Sequence, residues 1–420
     1  MDDDVDGGDY LERLVDPVLD AALEGLPAIS LVGPRACGKT TSARRRAKQV
    51  VRLNKEAEAA AFAADPDAAL ARLEEPALLD EWQEVNPVLG AVKRSVDDDA
   101  RAGRFILTGS VTIETDTDTW AATGRVTRVA MYPLTQREIL GVASPLFVDR
   151  VLKADAVQLE GTADRLELFD YLGMAVRGGF PDAALKRSGL ARELWLASYL
   201  EELLSRDAKR AGAGTAIDYA RLNGYATALA ASSAKVVDDA TLRDSAHVDR
   251  RTAAGYDRRL EAVFFSERVP AWWSEKLTSL TALPKRYVVD ASLMASLLRA
   301  DVDAIAARPG LLGQVVDTFV ASQLRPEAAV SGLRPALHHL RDKGGRHEVD
   351  ILLDYGARGV VGIEVKASSA PSLADARHLC WLRDRLGDRF AAGVVLHTGP
   401  SAFRLSDKIS AAPISAIWAA

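Results

Sequence analysis

Residues 33–40 read Gly-Pro-Arg-Ala-Cys-Gly-Lys-Thr and fit the pattern G-x-x-x-x-G-K-[ST]. Glycines in such a loop let successive backbone N–H groups turn toward an anion without a Cβ in the way. A helix starting at the loop points the positive end of its dipole at the same place. Gly33, Pro34, Arg35, Ala36, Cys37, Gly38, Lys39, Thr40 and Thr41 are therefore expected to cradle the phosphates of ATP. Lys39 can reach the β- and γ-phosphates as a catalytic cation, and the Thr40 hydroxyl can ligate Mg²⁺. The plain alternative is a glycine-rich turn that binds nothing. The apolar run Ala28 to Val32 before the loop and the helical, basic run after it argue against that.

Hydrolysis needs acids beside the loop. The apolar run Ala77-Leu78-Leu79 reads as a buried strand that ends in Asp80-Glu81. Asp80 is expected to hold Mg²⁺ through its water shell, and Glu81 to polarise the attacking water. A third strand, Arg104 to Thr108, ends in Gly109-Ser110, which puts Thr108 and Ser110 within reach of the γ-phosphate or the lytic water. Arg125 follows as a candidate arginine finger.

A second group of charges lies near the C-terminus. Residues 348–366 read as two alternating strands around a turn with Gly356 and Gly359. Strand parity puts Val349, Ile351 and Leu353 on one face of the first strand and Asp350 on the other. In the second strand it puts Val361, Ile363 and Val365 on one face and Glu364 and Lys366 on the other. A hairpin symmetric about Ala357 places Asp350 directly across from Glu364. Like charges facing each other destabilise a sheet unless something neutralises them. A divalent cation bound by Asp350 and Glu364 is one way, with Lys366 orienting water beside it. A solvated face with a Glu–Lys ion pair is the other. Arg341, on the preceding strand, is placed either at this site or on the surface.

The P-loop, Leu79-Asp80-Glu81-Trp82-Gln83, Phe105-Ile106-Leu107-Thr108-Gly109-Ser110, Gly124-Arg125, Pro133 to Glu138, Gly178-Gly179-Phe180-Pro181, Arg206-Asp207 and Glu364 to Ser368 occur in this order. In order and spacing they resemble a family of prokaryotic AAA-type ATPases with a C-terminal restriction-endonuclease-like domain. The resemblance implies an ATPase whose last domain is similar to the D…(D/E)-x-K core of restriction-type nucleases. It adds a third metal-ligating acid from the preceding helix. Asp317 stands there, where that family commonly has Glu.

Residues 238–265 suggest helix, turn, helix and then a strand at Val263-Phe264-Phe265. In the second helix Ala253, Tyr256, Leu260 and Val263 form one apolar face, and Arg251 and Arg258 fall opposite. That is the layout of a winged-helix recognition helix. A solvated face on a packing helix has the same spacing.

The elements that must position these residues follow from the pattern. Short apolar strands alternating with helices imply an α/β fold with a parallel sheet. Residues 1–145 are expected to form the P-loop AAA-type domain and 146–210 its helical lid. A winged-helix-like segment over 211–285 and a smaller restriction-endonuclease-like α/β domain over 286–420 complete the chain. A chain of 420 residues accommodates these parts, and 48% hydrophobic with 27% charged residues is an ordinary globular composition. A net charge of −6 argues against coating nucleic acid through the overall field, but not against a local basic face. Two cysteines cannot make a disulfide framework, which fits a reducing, cytoplasmic setting. The acidic start, Met1 to Asp4, reads as a solvated tail, with neither a signal peptide nor a membrane span expected. DNA, another protein and further copies of the chain are the candidate partners beside ATP. Three readings follow: an ATPase that controls DNA engagement or cleavage, a nucleotide switch with an inert last domain, and a DNA-binding regulator.

Overall fold

The computed structural model describes residues 10–110, 124–153, 159–208, 211, 218–273 and 282–419; the acidic start lies outside them. Five strands form the N-terminal sheet: β1 (Ala28–Val32), β2 (Gln49–Arg52), β3 (Ala77–Asp80), β4 (Phe105–Gly109) and β5 (Thr127–Ala130). Their order is β2-β3-β4-β1-β5, and all four pairings are parallel. β1, β3 and β4 are buried almost throughout, as expected of central strands covered on both faces. Because the strands are parallel, the loops after β1, β3 and β4 leave from one edge of the sheet. The P-loop, Asp80-Glu81 and Ser110 therefore meet.

Two strands of this sheet were not visible as apolar runs. β5 is Thr-Arg-Val-Ala with only Val129 buried, and β2 is Gln-Val-Val-Arg at the sheet edge. The helix after the P-loop is also shorter than the basic run suggested, Lys39–Arg44, because the chain turns back to build β2.

A helical region follows, including the helix Gly189–Glu202, which runs on into a π-helical turn at Leu203–Asp207. Next come the helices Tyr219–Ala231, Asp239–Ser245 and Arg250–Ala262. With them lies an antiparallel sheet of β6 (Lys235–Val236), β7 (Ser266–Val269) and β8 (Lys285–Val288), in the order β6-β8-β7. The expected strand at Val263 to Phe265 begins later, at Ser266, because Val263 closes the helix and Phe264 turns with φ 56°.

The C-terminal sheet holds β9 (Ala336–Arg341), β10 (Glu348–Asp354), β11 (Val360–Lys366), β12 (Phe390–His397), β13 (Phe403–Ser406) and β14 (Ile409–Pro413). Its order is β13-β14-β12-β11-β10-β9, with β11 and β12 parallel and β9, β10 and β11 antiparallel. The helix Pro309–Val330 packs on one face and Arg377–Leu386 on the other. Among the described residues no helix is long and apolar enough to cross a membrane.

The segment Pro133 to Glu138 bolts the first sheet to the last domain. Thr135 and Glu138 form a capping box, and the other Glu138 oxygen accepts from Arg13 at 2.9 Å. The next residue back, Arg137, donates to Glu327 of the Pro309–Val330 helix at 2.8 Å, to Ser144, and to the Ile417 carbonyl at 2.7 Å. The Arg137 and Glu327 side chains are 3% and 1% exposed. Burial pushes the Glu327 carboxyl up to about 7 against the pull of Arg137. Removing one member of such a pair leaves a buried charge without its partner.

We expect Arg137→Met to cost about 3–5 kcal/mol in urea unfolding at pH 8. A proton can then replace the lost guanidinium. Glu327 in the folded variant has its pKa raised further above the unfolded value of about 4.3, so the deficit should shrink as the pH falls from 8 toward that value. A cost under about 1 kcal/mol at pH 8 would mean the pair is not a bolt.

Candidate functional site

The P-loop closes around its own lysine. Lys39 is buried, and its Nζ donates to the Gly33 carbonyl at 2.9 Å and to the Pro34 carbonyl at 2.7 Å. Gly38 adopts φ 104°, a conformation that favours glycine. Gly33 is needed for a different reason: a Cβ there would lie 2.0 Å from the Met131 carbonyl oxygen, just past β5. The Cys37 side chain is fully buried and turned inward, so this residue can offer a ligand only its backbone. Arg35 and Thr41 are exposed on the rim.

Beside the loop the Thr40 hydroxyl donates to Asp80 Oδ1 at 2.7 Å, and the Thr108 hydroxyl donates to the same oxygen. A hydroxyl and a carboxylate oxygen converging next to Lys39 are the hard donors Mg²⁺ takes. Thr40 and Asp80 would hold the ion, and it would supply charge neutralisation at the γ-phosphoryl. Glu81 has φ 56°, a left-handed conformation for a non-glycine residue. Its Oε2 accepts from the Ser110 hydroxyl at 3.1 Å and from the Gln83 amide. Gly109 makes room for this arrangement: a Cβ there would meet Gln83 Oε1 at 2.8 Å and Trp82 Nε1 at 3.1 Å. Lys39, Thr40, Asp80, Glu81 and Ser110 are thus brought together, as their strand-end positions led us to expect.

Arg125 is not brought to them. It precedes β5 and pairs with Asp97 at 2.7 Å, in the last turn of the helix Pro87–Asp98. Both lie at the sheet edge opposite the P-loop, so Arg125 does not reach the phosphate site of its own chain.

Two contacts at the loop were not legible from motifs. Arg13 donates to the Cys37 carbonyl and to the Tyr132 carbonyl, both at 2.8 Å, and bonds Glu138, so it props the loop from beneath. Arg35 pairs with Asp207 at 3.2 Å, and the Tyr199 hydroxyl donates to the Arg35 carbonyl at 3.2 Å. The loop is therefore tied to the π-helical turn Leu203–Asp207. π-Turns are frequent at functional sites. Arg206-Asp207 was visible as a motif, but its partner was not.

The C-terminal acids form a second cluster. β10 and β11 pair Ile351 with Ile363 and Leu353 with Val361, so the hairpin is symmetric about Ala357 and Asp350 lies across from Glu364. Asp350 Oδ2 accepts from the Val365 N–H at 3.0 Å, and Lys366 Nζ pairs with Glu364 Oε2 at 2.9 Å. One expectation of parity fails. A bulge in the β9–β10 pairing between Val349 and Leu352 sends Val349 to the same side as Leu352, while Ile351 and Leu353 face the other way. Nor is the Glu364 face solvated. The helix Arg377–Leu386 covers it, approaching so closely that a Cβ on Gly362 would lie 2.7 Å from Leu379. Glu364 is 3% exposed with Oε1 unpartnered, and burial, then Asp350, pushes its carboxyl up to about 8.

A residue outside every motif dominates this cluster. Lys285 of β8 is 1% exposed and donates from Nζ to Asp317 Oδ2 at 2.6 Å and to Asp350 Oδ1 at 3.0 Å. Burial raises the Asp317 carboxyl above its ordinary value against the pull of Lys285. Burial also acts upward on Asp350, but Lys285 and Lys366 outweigh it and hold that carboxyl below its ordinary value. Asp317, Asp350 and Glu364 were expected to share a metal. The structure corrects the neutralising partner: Lys285 sits between the two aspartates, and Lys366 pairs with the glutamate. The acids present do not fit a divalent ion, and among the described residues no group of three His, Cys, Asp or Glu side chains does. Arg341 joins none of these three acids. It donates to the Val236 carbonyl at 3.3 Å and pairs with Glu348.

On the helix Arg250–Ala262, Ala253, Tyr256 and Leu260 are buried and Arg251 and Arg258 are exposed, as their spacing required.

Comparison with known proteins adds the following. A family model described as an AAA domain matches residues 26–140. Residues 168–304 and 312–417 match two models described as domains of unknown function, DUF8612 and DUF4143. Over 401 residues the chain is 28% identical to an uncharacterized protein of Mycobacterium bovis and to one of Mycobacterium tuberculosis, across 94% of this chain and 82% of each relative. The Walker-type ATPase of Pyrococcus abyssi aligns structurally with a TM-score of 0.39 at 14% identity, covering 69% of this chain and 96% of that one. The AAA match spans the stretch that carries both the phosphate loop and the strand-end acids, so residues 26–140 are similar to an AAA domain.

Proposed function

We propose that the chain is a Mg²⁺-dependent ATPase whose nucleotide state is passed to its middle and C-terminal parts. The convergence of Lys39, Thr40, Asp80 and Glu81 at one sheet edge carries this reading. Two routes support the coupling: Arg35–Asp207 ties the loop to the helical region, and Arg137–Glu327 ties the ATPase domain to the last helix–sheet layer. We retain four units: the ATPase over 1–145, a lid over 146–210, a winged-helix-like segment over 211–285 and a restriction-endonuclease-like domain over 286–420. Helix, strand, helix, helix, strand, strand from Tyr219 to Val288, with Arg251 and Arg258 outward, supports DNA as the partner of the middle segment. The position of Arg125, far from its own P-loop, supports service to a neighbouring copy. Two free cysteines support a reducing, cytoplasmic setting.

The second reading is a nucleotide switch in which the last domain does no chemistry. Lys285 between Asp317 and Asp350 favours it over DNA cleavage.

The test is ATP turnover with Mg²⁺, with and without duplex DNA, at several salt and protein concentrations. We expect turnover that needs Mg²⁺, rises with protein concentration and is stimulated by DNA. DNA affinity should fall steeply with salt and weaken in Arg251→Ala/Arg258→Ala. DNA binding indifferent to both arginines would remove the winged-helix role, turnover indifferent to Mg²⁺ would remove the Thr40–Asp80 ion, and no turnover under any condition would remove the ATPase reading.

A further inference from the structure

We propose that Lys285 is a built-in counter-ion that stands where a divalent cation would bridge Asp317 and Asp350, closing the C-terminal acid cluster to metal. The inference is independent of the ATPase reading, because Lys285 lies in β8 and touches no P-loop residue among its bonds.

The four carboxylate oxygens decide the matter. Asp317 Oδ2 takes Lys285 at 2.6 Å, and Asp317 Oδ1 takes the Tyr287 hydroxyl at 3.0 Å. Asp350 Oδ1 takes Lys285 at 3.0 Å, and Asp350 Oδ2 takes the Val365 N–H at 3.0 Å. Every oxygen of the two aspartates already accepts from a protein donor. A Mg²⁺ or Mn²⁺ ion needs several oxygens at close to 2 Å in a near-octahedral shell. Here the ammonium occupies the point from which both aspartates could be reached. Glu364 Oε1 is the one acceptor of the three acids without a partner, and a single oxygen does not hold a dication.

The charge count agrees. Two lysines, 285 and 366, face three carboxyl groups, so a dication would make the cluster net positive where the sequence pattern alone left it acidic. Nor can the ammonium swing out. Its side chain is 1% exposed, and its strand is hydrogen-bonded between β6 and β7. Deprotonating it to make room would leave two buried aspartates uncompensated. Lys285 therefore does two things at once: it replaces the metal's charge, and it pins the middle sheet to the Pro309–Val330 helix and to β10.

The experiment is a Mn²⁺ titration of the nucleotide-free full chain, read by electron paramagnetic resonance of free Mn²⁺. Wild type and Asp350→Asn should take up the same amount, any uptake at Thr40–Asp80 being common to both. Lys285→Met keeps an unbranched side chain one atom shorter, removes the charge and should gain one site per chain. Lys285→Met/Asp350→Asn should lose it again.

Thermal unfolding gives a second readout in case Lys285→Met is marginally folded. Mn²⁺ should raise the midpoint of that variant by several degrees more than it raises wild type. Asp350-dependent Mn²⁺ uptake by wild type would overturn the proposal, as would DNA cutting by wild type that needs both Asp350 and a divalent ion. A Lys285→Met chain that gains neither a site nor metal-dependent stability would overturn it as well.

Discussion

Lys39→Ala is expected to leave a folded chain with no measurable ATP turnover. The Nζ is the cation nearest the loop backbone, held by the Gly33 and Pro34 carbonyls at 2.9 and 2.7 Å. Charge developing at the β- and γ-phosphates must be met there by a fixed positive group, which a Mg²⁺ held by Thr40 and Asp80 would supplement rather than replace. Losing one preorganised donor to transition-state charge costs ~10²–10³-fold in turnover. Lys39 also contributes to ground-state binding of the triphosphate, so the loss in kcat/KM should be larger still. Arg13 holds the loop from beneath through the Cys37 carbonyl, which is why the fold should survive. Fluorescent-nucleotide binding together with a phosphate-release assay checks both halves. Wild-type binding and turnover in Lys39→Ala would sink the phosphate-loop assignment.

The second large effect separates binding from chemistry. Glu81→Gln keeps the shape of the side chain and leaves Asp80 free to serve the ion with Thr40. The amide cannot accept a proton from the attacking water. ATP affinity should stay within about threefold of wild type, while turnover should drop ~10²-fold or more, the usual contribution of a positioned general base. Ser110 holds the Glu81 carboxylate at 3.1 Å, so Ser110→Ala should give a smaller loss in kcat, because it frees the base without removing it. Equal turnover for Glu81→Gln and wild type would pass the role of base to another residue, with Glu84 the next acid in the chain.

What the sequence by itself determined is local. The Gly-x-x-x-x-Gly-Lys-Thr string fixes a loop that only glycines at 33 and 38 permit, and the three-residue apolar run before Asp80 fixes a strand end. Parallel pairing then brings these ends together with no further information, so the convergence of the loop and the strand-end acids was legible in the sequence. The register of the β10–β11 hairpin was legible too, Ile351 pairing with Ile363 and Leu353 with Val361 about Ala357, although the bulge beside Val349 was not.

Three things were decided only by tertiary structure. The counter-charge for Asp317 and Asp350 comes from Lys285, which is 32 and 65 residues away in sequence and sits in a strand of another sheet. A lysine in a strand gives no local signal of burial, and its pairing depends on how β8 docks against the Pro309–Val330 helix. Arg125 looked close to the active strands along the chain, yet a strand that enters the sheet from the far edge carries it away from the phosphates. The Arg137–Glu327 pair joins elements 190 residues apart. Such long-range charges follow from packing, because the cost of burying a charge is settled only when the partner that offsets it has been brought alongside.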